Sequence, residues 1–128
     1  MLSHVIIGIN NVEECIEFYD AVLKTLGHER RWRDENGAGY GKHDELGINT
    51  FWIGKPRDAN PATVGNGSNV ALLAPDRKSV DLFYQTALEY GGTDEGRPGI
   101  RAEAHDNFYA AYVRDPDGNK ILAVCHQS

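Results

Sequence analysis

The residue best suited to acid–base chemistry is a histidine near the start of the chain, His4. Free imidazole titrates near neutral pH, so His4 could act as a general base or as a hydrogen-bond partner for a bound molecule. Asn69 occupies the equivalent position of a second, similar segment, and its amide can both donate and accept hydrogen bonds. A cleft that receives both side chains would therefore combine a proton acceptor with a polar recognition group.

The chain contains an internal duplication. Residues 3–27 (SHVIIGINNVEECIEFYDAVLKTLG) align without a gap with residues 68–92 (SNVALLAPDRKSVDLFYQTALEYGG). The matched positions are Ser3 with Ser68, Val5 with Val70, Phe18 and Tyr19 with Phe83 and Tyr84, Leu23 with Leu88, and Gly27 with Gly92. Matches at both ends and in the middle predict a repeated strand–helix unit, whose two copies are expected to face each other across a shared cleft.

Length and composition narrow the function classes. With 128 residues the chain is expected to fold as one domain, and its net charge of −6, without a run of Lys or Arg, argues against nucleic acid as a partner. No apolar run approaches the roughly 20 residues of a membrane span, so a soluble, cytoplasmic protein without a membrane partner is expected. Cys15 and Cys125 are predicted to be buried, unreactive thiols.

The first module, about 1–54, is predicted to contain four strands and one helix. The helix begins near Asn11 and ends at Gly27, with apolar residues at helical spacing between them. The Asn36-Gly37 pair predicts a hairpin turn. The predicted strands cover residues 4–9, 29–34, 38–42 and 48–54.

The second module, 68–128, follows a linker at 55–67 that is rich in Pro and Gly. Asp76 is predicted to cap its helix, and strands are predicted at 69–74, 108–114 and 119–126. Residues 93–107 are interpreted as an irregular polar segment that could cover a cleft. The whole is predicted to be an α+β fold of eight strands and two helices, in which the second module repeats the strand–helix–three-strand plan of the first.

This plan, together with YAAYVRDPDGNKILAVCH near the C-terminus, resembles the vicinal oxygen chelate superfamily of glyoxalase I, bleomycin-resistance proteins and extradiol dioxygenases. The resemblance extends over nearly the whole chain and is strongest in three places. They are the opening His4-Val5 strand, the Phe-Tyr pair of each helix and the DPDGNKI segment at 115–121. It implies two tandem βαβββ modules that form a curled eight-stranded sheet around a cleft, a homodimer and, in the enzymes of the family, one divalent metal in the cleft.

The resemblance also implies four ligand positions, and this chain matches one of them. His4 stands at the first, Asn69 replaces the expected second His, and Leu122 replaces the expected carboxylate of the last strand. The remaining ligand would fall near Phe51 or Trp52. Catalytic metal sites use at least three imidazole or carboxylate ligands, so no metal or other cofactor is expected at this site. A divalent metal held by recruited donors such as His105 and His126 stays open.

The remaining candidate residues are interpreted as contacts to a small molecule. Trp52 offers a flat apolar wall, and Tyr109 is predicted to share a sheet face with Leu122 if residues 115–118 form a four-residue turn. Arg101 and His105 lie in the segment that could cover the cleft. With His4 as the candidate catalytic residue, the substrate-binding candidates are Trp52, Asn69, Arg101, His105, Tyr109 and Leu122.

Three functions are compatible with these features. The first is a metal-free protein of the bleomycin-resistance type that binds a small molecule in the cleft. The alternative is a glyoxalase-type lyase or isomerase that acts on an enolisable substrate, for which His4 would serve as base and the electrophile is missing. The third is an interaction module without a ligand, which an extended exposed apolar patch would favour.

Overall fold

The computed structural model describes residues 1–43 and 45–128. Within these residues the chain forms eight strands and two helices. The first module contains β1 (Val5–Gly8), α1 (Val12–Lys24), β2 (Arg30–Arg33), β3 (Gly37–Tyr40) and β4 (Phe51–Gly54). The second contains β5 (Val70–Leu73), α2 (Arg77–Glu89), β6 (Thr93–Ile100), β7 (Tyr109–Arg114) and β8 (Lys120–Cys125).

The two modules have the same topology. The described strands form two four-stranded mixed sheets, in the orders β1-β4-β3-β2 and β5-β8-β7-β6. In each sheet the first strand runs parallel to the last one of its module, and the other neighbours are antiparallel. The predicted α+β fold of two βαβββ modules is confirmed, and the sheets do not close on each other. The domain limits at 54, 67 and 68 stay a prediction.

One apolar core joins both modules. It contains buried residues of α1, β1, β3 and β4 together with residues of α2, β7 and β8. Both cysteines are buried and free, as predicted. A buried hydrogen bond of 2.7 Å from the Tyr19 hydroxyl to Asp115 Oδ2 connects the first helix to the β7–β8 turn. Burial and the neighbouring Asp115 carboxylate raise the pKa of Tyr19 well above its usual value, so the phenol stays protonated.

The first helix receives its N-terminal cap from the other module. Asn11 is at the predicted N-cap position, but its side chain makes no capping hydrogen bond within the described structure. Instead, Asp117 Oδ2 accepts hydrogen bonds from the backbone N–H of Asn10 (2.6 Å) and of Asn11 (3.0 Å). Gly27 follows the helix with a φ of 88°, the left-handed conformation expected there.

The second helix begins as predicted. Asp76 accepts a hydrogen bond of 2.7 Å from the Ser79 N–H, and its hydrogen bonds to Ser79 lower the pKa of the Asp76 carboxyl. Val80, Phe83 and Ala87 of this helix are buried, whereas Leu88 is exposed.

The prediction that residues 93–107 are irregular was wrong for the first half of that segment. Residues 93–100 form β6, which pairs with β7 through a ladder with register shifts around Gly96. The polar composition reflects the position of β6 at the edge of its sheet, where side chains remain solvated. No helix in the described residues is long and apolar enough to cross a membrane.

Candidate functional site

The face of the first sheet that points away from the helices carries an aromatic site. We call it the first open face, and it is formed by His4, Ile6, Trp32, Ile48, Asn49 and Trp52. A shallow cavity of about 420 Å³ lies on it, lined by His4, Ile6, Ile48, Asn49 and Trp52. All these residues belong to the first module. Side chains alternate along its strands, so Ile7, Phe51 and Ile53 point into the core and their neighbours point outward.

The two tryptophans of the chain lie side by side on this face. The ring centroids of Trp32 and Trp52 are 5.6 Å apart, and Trp32 remains 46% exposed. Trp52 Nε1 donates a hydrogen bond of 3.1 Å to the Asn49 carbonyl oxygen, which fixes the indole orientation. A Cβ at Gly39 would lie 3.0 Å from Trp52 Cε3, so the absence of a side chain there lets the indole lie against the sheet. The aromatic wall is therefore preorganised.

The neighbouring loop is held by an arginine. Arg31 Nη1 donates to Asn49 Oδ1 and to the Gly47 carbonyl oxygen, both at 3.2 Å. This anchors the residues that border Trp52, and it explains why a loop can form one wall of a defined cavity. Arg31, Asn49 and Trp32 were not predicted as site residues, although the Asn36-Gly37 hairpin places Trp32 opposite Gly39, beside Trp52.

His4 lies at the edge of the first open face, exposed to solvent. Its Nδ1 is 2.8 Å from the Ser3 hydroxyl oxygen, so Nε2 is the ring nitrogen that remains for a bound molecule. Asn69 is exposed at the equivalent place of the second module, immediately before β5. The cavity beside His4 is lined by first-module residues, so within one chain it does not bring His4 and Asn69 together. Their proposed roles stay predictions.

The corresponding face of the second sheet, the second open face, is also apolar. Ala110, Leu122 and Val124 form a small cluster there, separate from the core and flanked by Phe108 and Tyr112. Leu122 is only 3% exposed because the flanking side chains cover it. The half-buried rings of Phe108 and Tyr112 are therefore the apolar surface that remains on this face, and the Leu122 position offers no donor atom.

The predicted shared face of Tyr109 and Leu122 was wrong. Arg114 pairs with Lys120, so the turn spans five residues rather than four, and this shift of one residue moves Tyr109 to the opposite face. Tyr109 pairs with Cys125 and donates a hydrogen bond of 2.6 Å to Asp81 on α2, which raises the pKa of its phenol. Tyr112 is the tyrosine beside Leu122, and a correct turn length would have identified it.

His105 and His126 meet at the end of the second open face. Nε2 of His105 is 2.8 Å from Nδ1 of His126, and the two rings stack with centroids 5.1 Å apart. The Asn107 N–H donates to Nδ1 of His105, so Nε2 carries the proton and donates it to His126. Phe108 packs edge-on against both rings. The two rings thus form a stacked, hydrogen-bonded pair.

The residues at the four implied metal positions do not suit a divalent metal. His4 supplies one imidazole, Asn69 offers an uncharged amide, and Leu122 supplies no donor. Phe51 is buried in the core, and the indole nitrogen of Trp52 donates to Asn49. In the described part of the chain, no three His, Cys, Asp or Glu side chains are grouped as metal ligands. These four positions therefore lack the donor set that a catalytic divalent metal needs.

Comparison with known proteins gives one family. The model of the Glyoxalase/Bleomycin resistance protein/Dioxygenase superfamily matches residues 1–122. A crystal structure of a glyoxalase/bleomycin resistance protein from Albidiferax ferrireducens T118 is similar at 39% sequence identity and a TM-score of 0.85, with 98% of each chain covered. No curated protein matches significantly.

Two more distant structures share the fold alone. A glyoxalase-related enzyme from Fulvimarina pelagi is 16% identical with a TM-score of 0.74, and covers 98% of this chain and 87% of its own. Lactoylglutathione lyase from Agrobacterium tumefaciens is 15% identical with a TM-score of 0.66, covering 98% and 92%.

Proposed function

Because the chain belongs to the Glyoxalase/Bleomycin resistance protein/Dioxygenase superfamily, we propose that it binds a small aromatic or apolar molecule on its first open face without a metal ion. The observation that carries the proposal is the Trp32–Trp52 pair beside the His4 cavity. Exposed aromatic surface of this kind is costly to leave in water and is typical of small-molecule sites.

The rigidity of this wall supports binding rather than simple exposure. The Asn49 carbonyl and the Gly39 position fix the Trp52 indole before any ligand arrives. A preorganised wall loses little conformational entropy on binding, so more of the apolar contact energy appears as affinity. In this proposal His4, through Nε2, supplies a hydrogen bond that orients the ligand.

The alternative function, a glyoxalase-type lyase, is supported by one feature, the exposed imidazole of His4 beside the cavity. Such a reaction also needs an electrophile that stabilises negative charge on the substrate. Asn69 and Leu122 are poor or absent ligands for the divalent metal that would serve as this electrophile. We therefore favour binding, and we expect no turnover of methylglyoxal with a thiol after addition of Zn²⁺ or Ni²⁺.

A second copy of the chain is the proposed protein partner. Ile6 on the edge strand β1 and Leu73 on the edge strand β5 are 67% and 68% exposed. Apolar side chains on sheet edges favour association with another chain. A homodimer would cover them and could complete each open face with residues from the other subunit.

Thermal-shift measurements with EDTA present test the proposed function. The panel consists of small neutral aromatic molecules, from indole to 2-naphthamide. A ligand at ten times its Kd stabilises the folded state by about 1.4 kcal/mol, which raises the Tm of a domain of this size by about 5 °C. The shift should disappear in Trp52→Ala.

The matched control is Leu82→Ala, which removes an exposed apolar side chain from α2. The control should keep the ligand-induced shift. The proposal fails if no molecule shifts the Tm at millimolar concentration, or if Trp52→Ala keeps the full shift.

A further inference from the structure

A second feature, independent of the tryptophan pair, lies on the second open face. The guanidinium of Arg101 is seated where two residues lack side chains. A Cβ at Gly96 would lie 3.1 Å from Arg101 Nη2, and one at Gly99 would lie 3.2 Å from Nη1. Arg101 Nη2 also donates a hydrogen bond of 2.7 Å to the Arg97 carbonyl oxygen. Gly96 and Gly99 therefore leave the space that the guanidinium occupies, and the Arg97 carbonyl oxygen holds it there.

Two cations, Arg101 and Lys120, lie near the ring of Tyr112. The Arg101 guanidinium carbon and the Lys120 Nζ are each 5.4 Å from the centroid of Tyr112. Neither cation forms an ion pair with a carboxylate in the described residues. Arg114, the next cation on this face, is neutralised by Glu95 at 2.6 Å. The face therefore has an excess of positive charge in a chain whose net charge is −6.

These cations lie beside a buried apolar cluster whose cover is the half-buried rings of Tyr112 and Phe108. Tyr112 pairs with Leu122, and Leu122 belongs to the cluster with Ala110 and Val124. A half-buried cation beside apolar surface is less solvated than one in open water, so an anion gains more from approaching it there. The planar guanidinium suits a carboxylate, because two parallel N–H groups can bind its two oxygens.

We propose that Arg101, Lys120 and Tyr112 form a recognition site for the carboxylate of an organic acid whose apolar body packs on the second open face. The carboxylate binds the Arg101 guanidinium, Lys120 adds positive charge from β8 on the other side of β7, and the apolar body contacts Tyr112 and Phe108, which flank the buried cluster around Leu122. This site goes beyond the proposed function and does not need the first open face to be occupied.

A matched pair of probes isolates the charge. 2-Naphthoate and 2-naphthamide have the same apolar body and differ in the carboxylate. We expect 2-naphthoate to bind about tenfold more tightly, as one charge-assisted hydrogen bond would give. NMR titration gives both Kd values and the location, since the backbone amides of Tyr112 and Leu122 should shift.

Three variants and one control assign the effect. Arg101→Gln and Lys120→Gln each remove one charge and should reduce the preference for 2-naphthoate. Gly96→Ala keeps the charge but displaces the guanidinium, so it should also reduce the preference. Arg57→Gln, an exposed arginine of the linker, makes the same charge change elsewhere and should leave it intact.

The outcomes separate this site from the proposed function. Equal Kd values for acid and amide, a preference that survives in all three variants, or no shift at Tyr112 and Leu122 would each overturn the carboxylate site. Arg101-dependent binding that persists in Trp52→Ala would support it even if the first open face bound nothing.

Discussion

At the scale of single residues, Asp117 has the widest influence on the structure. Its Oδ2 accepts hydrogen bonds from two backbone N–H groups that precede α1 and from the Cys15 thiol at 3.2 Å. Its Oδ1 accepts from the Asn11 side chain at 3.0 Å. One carboxylate of the second module therefore caps the helix of the first. Sequence reasoning assigned this residue to a turn, because a cap supplied from 106 residues away leaves no local pattern.

The charge state of Asp117 follows from these contacts. Burial alone would raise the pKa of the Asp117 carboxyl, but the hydrogen bonds from Asn10, Asn11 and Cys15 outweigh it and lower the pKa below the usual aspartate value. A folded-state pKa below the unfolded one, which is about 3.9, stabilises the fold above that pH. This contribution is lost as the pH falls through the lower, folded pKa.

Asp117→Asn should lower the free energy of unfolding by about 1–2 kcal/mol at pH 7, because the neutral amide caps the helix less well. Urea denaturation at several pH values measures it. The difference from the natural protein should shrink below about pH 4, where the Asp117 carboxyl of the unfolded chain begins to protonate, and it should disappear below the lower pKa of the folded state.

Asp106→Asn is the matched control, since Asp106 is an exposed aspartate of the 101–107 loop. It should change stability by less than about 0.5 kcal/mol. An Asp117→Asn variant as stable as this control would contradict the capping role.

At the scale of elements, the strand–helix repeats were predictable and the turns between strands were less so. Residues 3–27 and 68–92 share a pattern strong enough to predict β1, α1, β5 and α2. The face of β7 was mispredicted because it depends on whether the turn before Lys120 contains four residues or five. β6 was missed because its edge position and its glycines remove the alternation that identifies a strand.

A pair of facing glycines provides a test of the first sheet. Gly37 and Gly54 are register partners in β3 and β4. A Cβ at Gly37 would press against the Ile53 carbonyl oxygen and lie 2.8 Å from Gly54 Cα, whereas the nearest atom to a Cβ at Gly54 is 3.8 Å away. Gly37→Ala should destabilise the fold by about 2 kcal/mol through overpacking.

Gly54→Ala serves as the control on the opposite strand. It should be neutral or slightly stabilising, since alanine loses less backbone entropy than glycine on folding. Equal effects of the two variants in urea denaturation would show that the strand register between β3 and β4 is different in solution.

At the scale of the whole molecule, the composition of the two open faces was the feature hardest to predict from the sequence. The fold class followed from the duplication and from the family resemblance. The set of residues on each face could not be predicted in the same way, because Trp32, Tyr112 and Lys120 reach their neighbours through strand pairing. The candidate site was thus predicted in part, with Trp52, Leu122 and Arg101 on the open faces and Tyr109 on the wrong one.

The association state is the first prediction at this scale. We expect light scattering to give twice the chain mass of 14.2 kDa, about 28 kDa (2 × 14.2), at micromolar concentration. Ile6→Glu places a charge on the exposed apolar edge and should shift the equilibrium toward monomer. A natural protein that stays at the mass of one chain at all concentrations would contradict the homodimer.

The most direct test of metal-free binding uses the two tryptophan indoles, both of which lie on the first open face. Their Nε1–H signals would be followed by ¹H–¹⁵N NMR while 2-naphthamide is added in EDTA, and again with Zn²⁺ in place of EDTA. We predict that the Trp52 signal moves to saturation with the same Kd in both conditions. Indole signals that stay unmoved, or that respond only when Zn²⁺ is present, would contradict the proposal of a metal-independent small-molecule site.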